Sequence, residues 1–403
     1  MSPTVVIAPD SLKGTASAVD AARAIAEGWL SVRAADDIRL LPMADGGEGT
    51  LDAFECAVAG AKRMPVQVQG PANIAVSAYW LLLPDGRGVV ELANTSGITL
   101  LDRLDPLNAH TFGFGQAIAD ALGHGATSLL LAIGGSASID GGAGMLAALG
   151  ASMLDAANRP IRLGNRGLGA LAKLNLEGVA SLPPGGATIL SDVTNPLLGQ
   201  SGAAVVFGPQ KGASAAQVVG LESNLRRWER MIRVGREAAA AAAAQAQAPA
   251  VRANPAVRAN PAAPGSGAAG GTGFGLLVWG ATLTPGGGAA VVGEALGMPA
   301  ALGAASVVIT GEGRYDSQSA SGKVPTYVAG LAAENGVPAM LVAGDIDAAL
   351  RNVTRGDGVD EFGSVPGFVA AESLTALAGG AAAAMRDPLT YLRLAGAALA
   401  RRV

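Results

Sequence analysis

Short apolar runs alternate along this chain with stretches whose apolar positions recur at helical spacing. Val5 to Pro9 reads as a strand. Val19, Ala22, Ile25 and Trp29 then fall on one face of a helix expected from Ala18 to about Val32, with Ser17 as its N-cap. A strand over Arg39 to Met43 and a helix from Thr50 through Cys56 follow. At Pro65 the pattern changes. Val66 to Gln69 alternates, and Ala75 to Leu83 and Gly88 to Leu92 read as strands around the turn Pro84-Asp85-Gly86. A helix is expected over Thr111 to Leu122, a strand over Ser128 to Ile133, and a helix over Gly141 to Leu149 whose N-terminus faces the preceding glycine turn. Ser214 to about Ala244 is one long helical stretch. Farther on come a helix over Val291 to Leu296, a strand over Ser306 to Thr310, a helix over Pro325 to Asn335, a strand over Ala339 to Ala343 and a last helix over Thr390 to Arg401. Strands alternating with helices predict an α/β fold with parallel sheets.

Five of the apolar runs end in a polar or glycine-rich turn with an acid or a hydroxyl. The turns are Asp10-Ser11, Asp45-Gly46-Gly47-Glu48-Gly49, Gly134-Gly135-Ser136 leading to Asp140-Gly141-Gly142, Ser191-Asp192 with Asn195 nearby, and Gly311-Glu312-Gly313-Arg314-Tyr315-Asp316. Open α/β sheets bind ligands outside the carboxyl ends of their strands. Similar chemistry at all five ends predicts a site for phosphates and a divalent cation.

Length and composition narrow the picture. At 403 residues two domains are expected, and the break at Pro65 starts the second. Half of the residues are hydrophobic and mean hydropathy is +0.37, which suits buried parallel sheets. No apolar run is long enough to predict a membrane span, and no basic-then-apolar leader is visible. The single cysteine, Cys56, excludes an intrachain disulfide and fits a reducing cytoplasm. A net charge of −4 argues against a nucleic-acid surface. The only histidines, His110 and His124, lack metal-ligand spacing, which disfavours a zinc site or a Ser-His-Asp hydrolase. Of 28 basic residues only five are lysines, and Lys13, Lys211 and Lys323 each adjoin a glycine. A lysine kept where arginine is the default points to a compact charge near an anion. From about Ala244 to Pro264 alanine and proline dominate, and Ala250 to Pro255 repeats as Ala256 to Pro261. That segment is expected to be a passive, mobile linker.

The motifs differ in specificity. Gly265-Ser266-Gly267-Ala268-Ala269-Gly270 has dinucleotide-binding spacing but follows a proline-rich loop, so it reads as a flexible turn. Gly322-Lys323 is followed by Val324, not the hydroxyl residue of a P-loop. Gly46 and Gly47 let the backbone approach an anion, and a cation would relieve repulsion between Asp45 and Glu48. Glu312, Arg314, Asp316, Gln318 and Lys323 share one loop. Acids, cations and glycines in this mixture suit phosphoryl transfer, which needs positioning and charge stabilisation rather than histidine.

The blocks APDSLKG (Ala8 to Gly14), ADGGEGT (Ala44 to Thr50), GGSASIDGGAGM (Gly134 to Met145), SDVTNPLLG (Ser191 to Gly199), FGPQKGA (Phe207 to Ala213) and GEGRYDSQ (Gly311 to Gln318) resemble the glycerate kinase type 1 family. They run in family order over most of the chain. Leu12 stands where that family usually has Phe, and Ser138-Ile139 where Thr-Asn is common. The resemblance implies two different α/β domains: a Rossmann-like parallel-sheet domain from both chain ends (1–64 and 290–403) and an inserted α/β domain (65–289). It implies ATP- and Mg2+-dependent phosphorylation of D-glycerate, usually at the 2-hydroxyl. A 3-phosphoglycerate product or a related hydroxy acid is the alternative, and a nicotinamide-dependent oxidoreductase or a non-catalytic acid sensor the remote ones.

On that reading Asp192 orients or deprotonates the hydroxyl, with Asp10, Lys13 and Lys211 also catalytic. Gly46, Gly47, Gly134, Gly135, Ser136, Asp140, Asn195, Arg314 and Lys323 hold the nucleotide and anionic oxygens. Asp45, Glu48, Glu312 and Asp316 hold Mg2+. The expected partners are ATP and D-glycerate, with no nucleic acid and no membrane. A cytoplasmic location is expected, and a homo-oligomer stays open.

Overall fold

The computed structural model describes residues 2–12, 14–245, 259–283, 287–316, 323–350 and 365–403. Its strands are β1 Thr4–Pro9, β2 Asp37–Leu40, β3 Lys62–Gln69, β4 Ala75–Leu82, β5 Arg87–Glu91, β6 Ser128–Ala132, β7 Ser152–Leu154, β8 Lys173–Asn175, β9 Ala187–Leu190, β10 Thr282–Leu283, β11 Val307–Tyr315, β12 Ala339–Ile346 and β13 Ala370–Ser373. The chain forms two compact units. The first comprises 1–45, 52–59 and 286–403, the second 46–51 and 60–285.

The first unit holds a five-stranded sheet in the order β13-β12-β11-β1-β2, every pair parallel. This is a doubly wound arrangement whose strand order reverses between β1 and β11. Covered on both faces, its central strands are continuous apolar runs: Val5 to Ala8, Val308 and Ile309 are fully buried. The helix Ala18–Leu30 begins at Ser17, whose hydroxyl accepts from the Asp20 amide, and buries Ile25 and Trp29. It packs tightly on the last helix, Pro388–Ala400. A Cβ on Gly28 would lie 1.9 Å from the Arg393 carbonyl, and one on Gly396 would lie 2.2 Å from that of Ile25.

Two strands depart from the sequence pattern. The run expected to end at Thr310 continues to Tyr315, because β12 lies alongside and pairs with Glu312, Arg314 and Tyr315. The run from Arg39 to Met43 is a strand only to Leu40, although Leu41 and Met43 still donate to the β1 carbonyls of Ile7 and Pro9.

The second unit holds a six-stranded sheet in the order β10-β9-β6-β5-β4-β3 and the separate ribbon of β7 and β8. β5, β6, β9 and β10 are parallel, whereas β3 and β4 join as an antiparallel edge. Trp80, Phe114, Trp228 and Phe274 anchor its core. The long helix Ala215–Gln245 reaches that core through Trp228, whose indole N–H donates to the Gly141 carbonyl.

The expected linker is structured at its edges. The helix continues to Gln245, and Ala259 is 3 % exposed. The Pro261 carbonyl accepts from the Leu197 amide at 2.8 Å and the Ser266 hydroxyl at 2.7 Å, so the second copy of the repeat ends docked on the unit rather than free. Residues 246–258, including the first copy, lie outside the described residues. Among the described residues no helix is long and apolar enough to cross a membrane.

Candidate active site

In the second unit three of the strand-end turns meet. Parallel pairing sets β6 beside β9, so Gly134 and Ser191 leave the sheet at the same edge. The loop that starts at Gly46 fits between them. The Gly134 amide donates to the Gly46 carbonyl at 2.9 Å. A Cβ on Gly46 would sit 2.4 Å from the Leu190 carbonyl oxygen, and one on Gly134 would sit 2.4 Å from the Gly47 Cα. Gly46 also holds φ at +92°, a region that favours glycine. The Thr50 hydroxyl closes the loop on the Gly47 carbonyl at 2.7 Å, and the Glu91 carboxylate at the end of β5 accepts from the Leu51 amide. Nothing in the sequence pattern singles out Glu91.

This packing separates the expected anion donors. The Gly134 amide is spent on the Gly46 carbonyl and so ties the two loops together. The loop 135–137 is pinned from both sides: the Gly135 carbonyl accepts from the Ile98 amide, and the Ala137 amide donates to the Ser96 carbonyl. The amides of Gly135 and Ser136 donate to no group among the described residues. With Gly135 at φ +71°, these are two consecutive unspent donors, the equipment of a nest that can receive an anion.

Lys211 and Asp140 also differ from expectation. Lys211 is 4 % exposed, and its ammonium donates to the Ser136 hydroxyl and, at 2.7 Å, to the Ser138 carbonyl. It braces the nest from within rather than reaching out as a clamp. Burial pushes its pKa down to about 7, and the Asp140 charge pulls the other way. Asp140 is fully buried with both oxygens occupied. One accepts from the Ser138 hydroxyl and the Gly142 amide, the other from the Thr111 amide and hydroxyl and the Gly144 amide. Asp140 thus ties the turn to the start of two helices. Ile139, where the resembling family has Asn, is a core side chain.

The Gly265–Gly270 run is no flexible turn either. Ser266 is buried and its hydroxyl accepts from the Leu197 amide, while the Gly267 amide donates to the Asn195 carbonyl. Ala269, Gly270 and Gly271 take φ of 53°, 66° and 88° in succession. A Cβ on Gly270 would lie 2.0 Å from the Ser138 carbonyl oxygen, so the run abuts the back of the Ser138–Asp140 turn. The Asn195 side-chain amide donates to the Ser201 carbonyl at 2.8 Å, which makes Asn195 a loop organiser. Asp192 stands solvent-exposed two residues beyond β9.

In the first unit Asp10 and Glu312 lie where the strand order reverses. Pro9 is in register with Gly311, and the Asp10 amide donates to the Gly311 carbonyl at 2.8 Å. Asp10, just past the end of β1, is therefore level with Glu312, which lies within β11. Glu312 is 6 % exposed and Lys323, at the N-cap of helix Val324–Glu334, comes within 3.7 Å of its carboxylate. Arg314 and Asp316 form a looser pair at 3.9 Å, with Arg314 turned to solvent. Asp45 is half-buried and Glu48 exposed. Lys13 and Gln318 lie outside the described residues.

The donor set bears on Mg2+. Among the described residues no three His, Cys, Asp or Glu side chains cluster to hold a metal. Mg2+ keeps several waters and binds one or two carboxylates plus substrate phosphates. Asp10, just past β1, and Glu312, at the same level within β11, offer two carboxylates, the number that mode uses.

Comparison with known proteins bears on the family and the fold. Residues 5–401 match the model of the Glycerate kinase family. The chain is 38 % identical to the glycerate 2-kinase of Escherichia coli, covering 90 % of each chain. It is 39 % identical to the glycerate kinase of Bacillus subtilis, covering 91 % of this chain and 92 % of that one. A crystal structure from Salmonella typhimurium, provisionally described as glycerate kinase 2, superposes with a TM-score of 0.76 at 33 % identity, covering 100 % of this chain and 98 % of the other. A family-model match from residue 5 to residue 401, and 38–39 % identity to curated glycerate kinases over nine-tenths of the chain, show that the chain belongs to the glycerate kinase family.

Proposed function

We propose that this chain transfers the γ-phosphoryl group of ATP to the 2-hydroxyl of D-glycerate in the presence of Mg2+, giving 2-phosphoglycerate and ADP. The observation that carries the reading is the nest at Gly135 and Ser136: their two amides are unspent, while Gly46 holds the Gly134 amide, Ile98 the Gly135 carbonyl and Lys211 the Ser136 hydroxyl. Donors fixed before a ligand arrives suit a reaction that depends on positioning. The name of the Escherichia coli relative supports the 2-position.

In the reaction the hydroxyl oxygen bonds to the γ-phosphorus, the bond to the β–γ bridging oxygen breaks, and ADP leaves. Asp192, exposed beyond β9, is the carboxylate that takes the hydroxyl proton. Gly135, Ser136 and the Gly46-Gly47 backbone receive anionic oxygens, and Lys211 keeps the Ser136 hydroxyl aimed. Asp10 and Glu312 would hold Mg2+, with Lys323 balancing Glu312. When bound, that ion offsets charge on the phosphate oxygens. Asp45, Glu48 and Asp316 serve as outer acids on this reading.

The assay is ATP, Mg2+ and D-glycerate with the purified protein, the product read by phosphorus NMR. ADP release that does not depend on glycerate would sink the kinase reading, and 3-phosphoglycerate would sink the 2-position. Asp192→Asn is expected to lower kcat by about 10²-fold or more. A near-normal kcat would remove Asp192 from proton transfer.

A further inference from the structure

A cavity of about 640 Å3 is lined wholly by residues of the second unit. The turn at 71–73, the loop at 101–109, Arg166, Gly212 and Gln217 line it. Its volume matches small-molecule sites, about 300–1,000 Å3, rather than a single-ion hole.

The lining is rich in unspent donors. The guanidinium groups of Arg103 and Arg166 have no ion pair or hydrogen bond among the described residues. The one acid, Asp105, already receives the Asn108 amide at 3.2 Å and side-chain nitrogen at 2.8 Å. The Gln217 side-chain oxygen takes the Ser214 amide at 2.9 Å, and the Asn73 side-chain oxygen takes the Gln69 side-chain nitrogen at 2.6 Å. Both amide groups therefore keep their NH2 for another partner. Two arginines and two amides, with the only carboxylate engaged, make a wall selective for oxyanions, which arginine binds in a bidentate fork.

We propose that this cavity is a second small-molecule site, taking a compact dianion that carries a phosphate or paired carboxylates. It also has short routes to the nest. Gly212 follows Lys211, whose ammonium holds Ser136 and Ser138. The loop that carries Arg103 begins just after Ile98, whose amide holds the Gly135 carbonyl at 2.8 Å. A ligand across Arg103 and Arg166 steadies both supports, so its occupancy is expected to lower the KM of an anionic substrate. The site itself does not depend on the kinase reading, because its binding is measurable without turnover.

The test titrates the full chain with inorganic phosphate and, separately, with succinate, by calorimetry and by protection of Arg103 and Arg166 from phenylglyoxal. Stronger binding of one probe distinguishes a phosphate ligand from a dicarboxylate. Both arginines are exposed, so the double variant Arg103→Gln/Arg166→Gln should keep its melting temperature. Saturable binding that protects both arginines, weakened about tenfold per arginine removed, supports the site. Equal binding in the double variant, or no protection in the wild type, would overturn it. So would a collapse of glycerate kcat/KM in the double variant without added anion, since the cavity would then belong to the turnover site.

Discussion

A buried lysine rarely rests in a neutral protein core at no cost, and Lys211 has a measurable signature. Its pKa falls from 10.5 to about 7 on burial. Below about pH 7 the folded and unfolded chains both hold the proton, and the full cost of burying the charge stands. Between about 7 and 10.5 the unfolded chain binds a proton that the folded chain does not, so this contribution to stability rises with pH, by about 1.4 kcal/mol per pH unit. Lys211→Met removes the titration. The difference in unfolding free energy, wild type minus variant, is expected to tilt upward from pH 7 to pH 10 in urea titrations. A flat difference would mean that Lys211 is not desolvated in solution. Its scarcity marked Lys211 in the sequence as a special cation. That it props Ser136 instead of reaching outward depends on the Ser138 carbonyl, a long-range partner that no local pattern encodes.

At the scale of elements the sequence was most readable where burial is periodic. Val5 to Ala8 are buried as their spacing predicts, and so are Ala22, Ile25 and Trp29 on the face of Ala18–Leu30, with Val19 partly exposed. It was least readable where a neighbour decides. β11 passes through Gly311, Glu312 and Gly313, poor strand residues, because β12 offers a ladder as far as Ile346. The Gly265–Gly270 run looked mobile because glycine is permissive, yet Gly270 allows close approach to the Ser138 carbonyl and Gly267 to that of Pro196. The contact between the first and last helices of the first unit gives a direct test of close approach. Gly28→Ala places a methyl 1.9 Å from the Arg393 carbonyl, which the helices can accept only by moving apart. The expected loss is about 1–3 kcal/mol of stability, read as a lower melting temperature. An unchanged melting temperature would show that Arg393 shifts freely.

At the scale of the molecule, each unit has a core of its own. Ile7, Trp29 and Ile309 belong to one, Trp80, Phe114 and Trp228 to the other. Separate cores are expected to open as separate cooperative units. The chain places the boundary within one helix: Thr50–Ala57 starts in the second unit and ends in the first. The Leu51 amide is held by Glu91 of the second unit, whereas the Val58 amide is held by the Phe54 carbonyl of the first. Native-state hydrogen exchange at rising urea should therefore divide this helix. Leu51 should join the isotherm of β6 and β9, and Val58 that of β1 and β11. If both amides follow one isotherm shared by every strand, the two cores unfold together. The Gly46-Gly47 loop would then be as stable as the whole chain, and the nest that leans on it would open only on global unfolding.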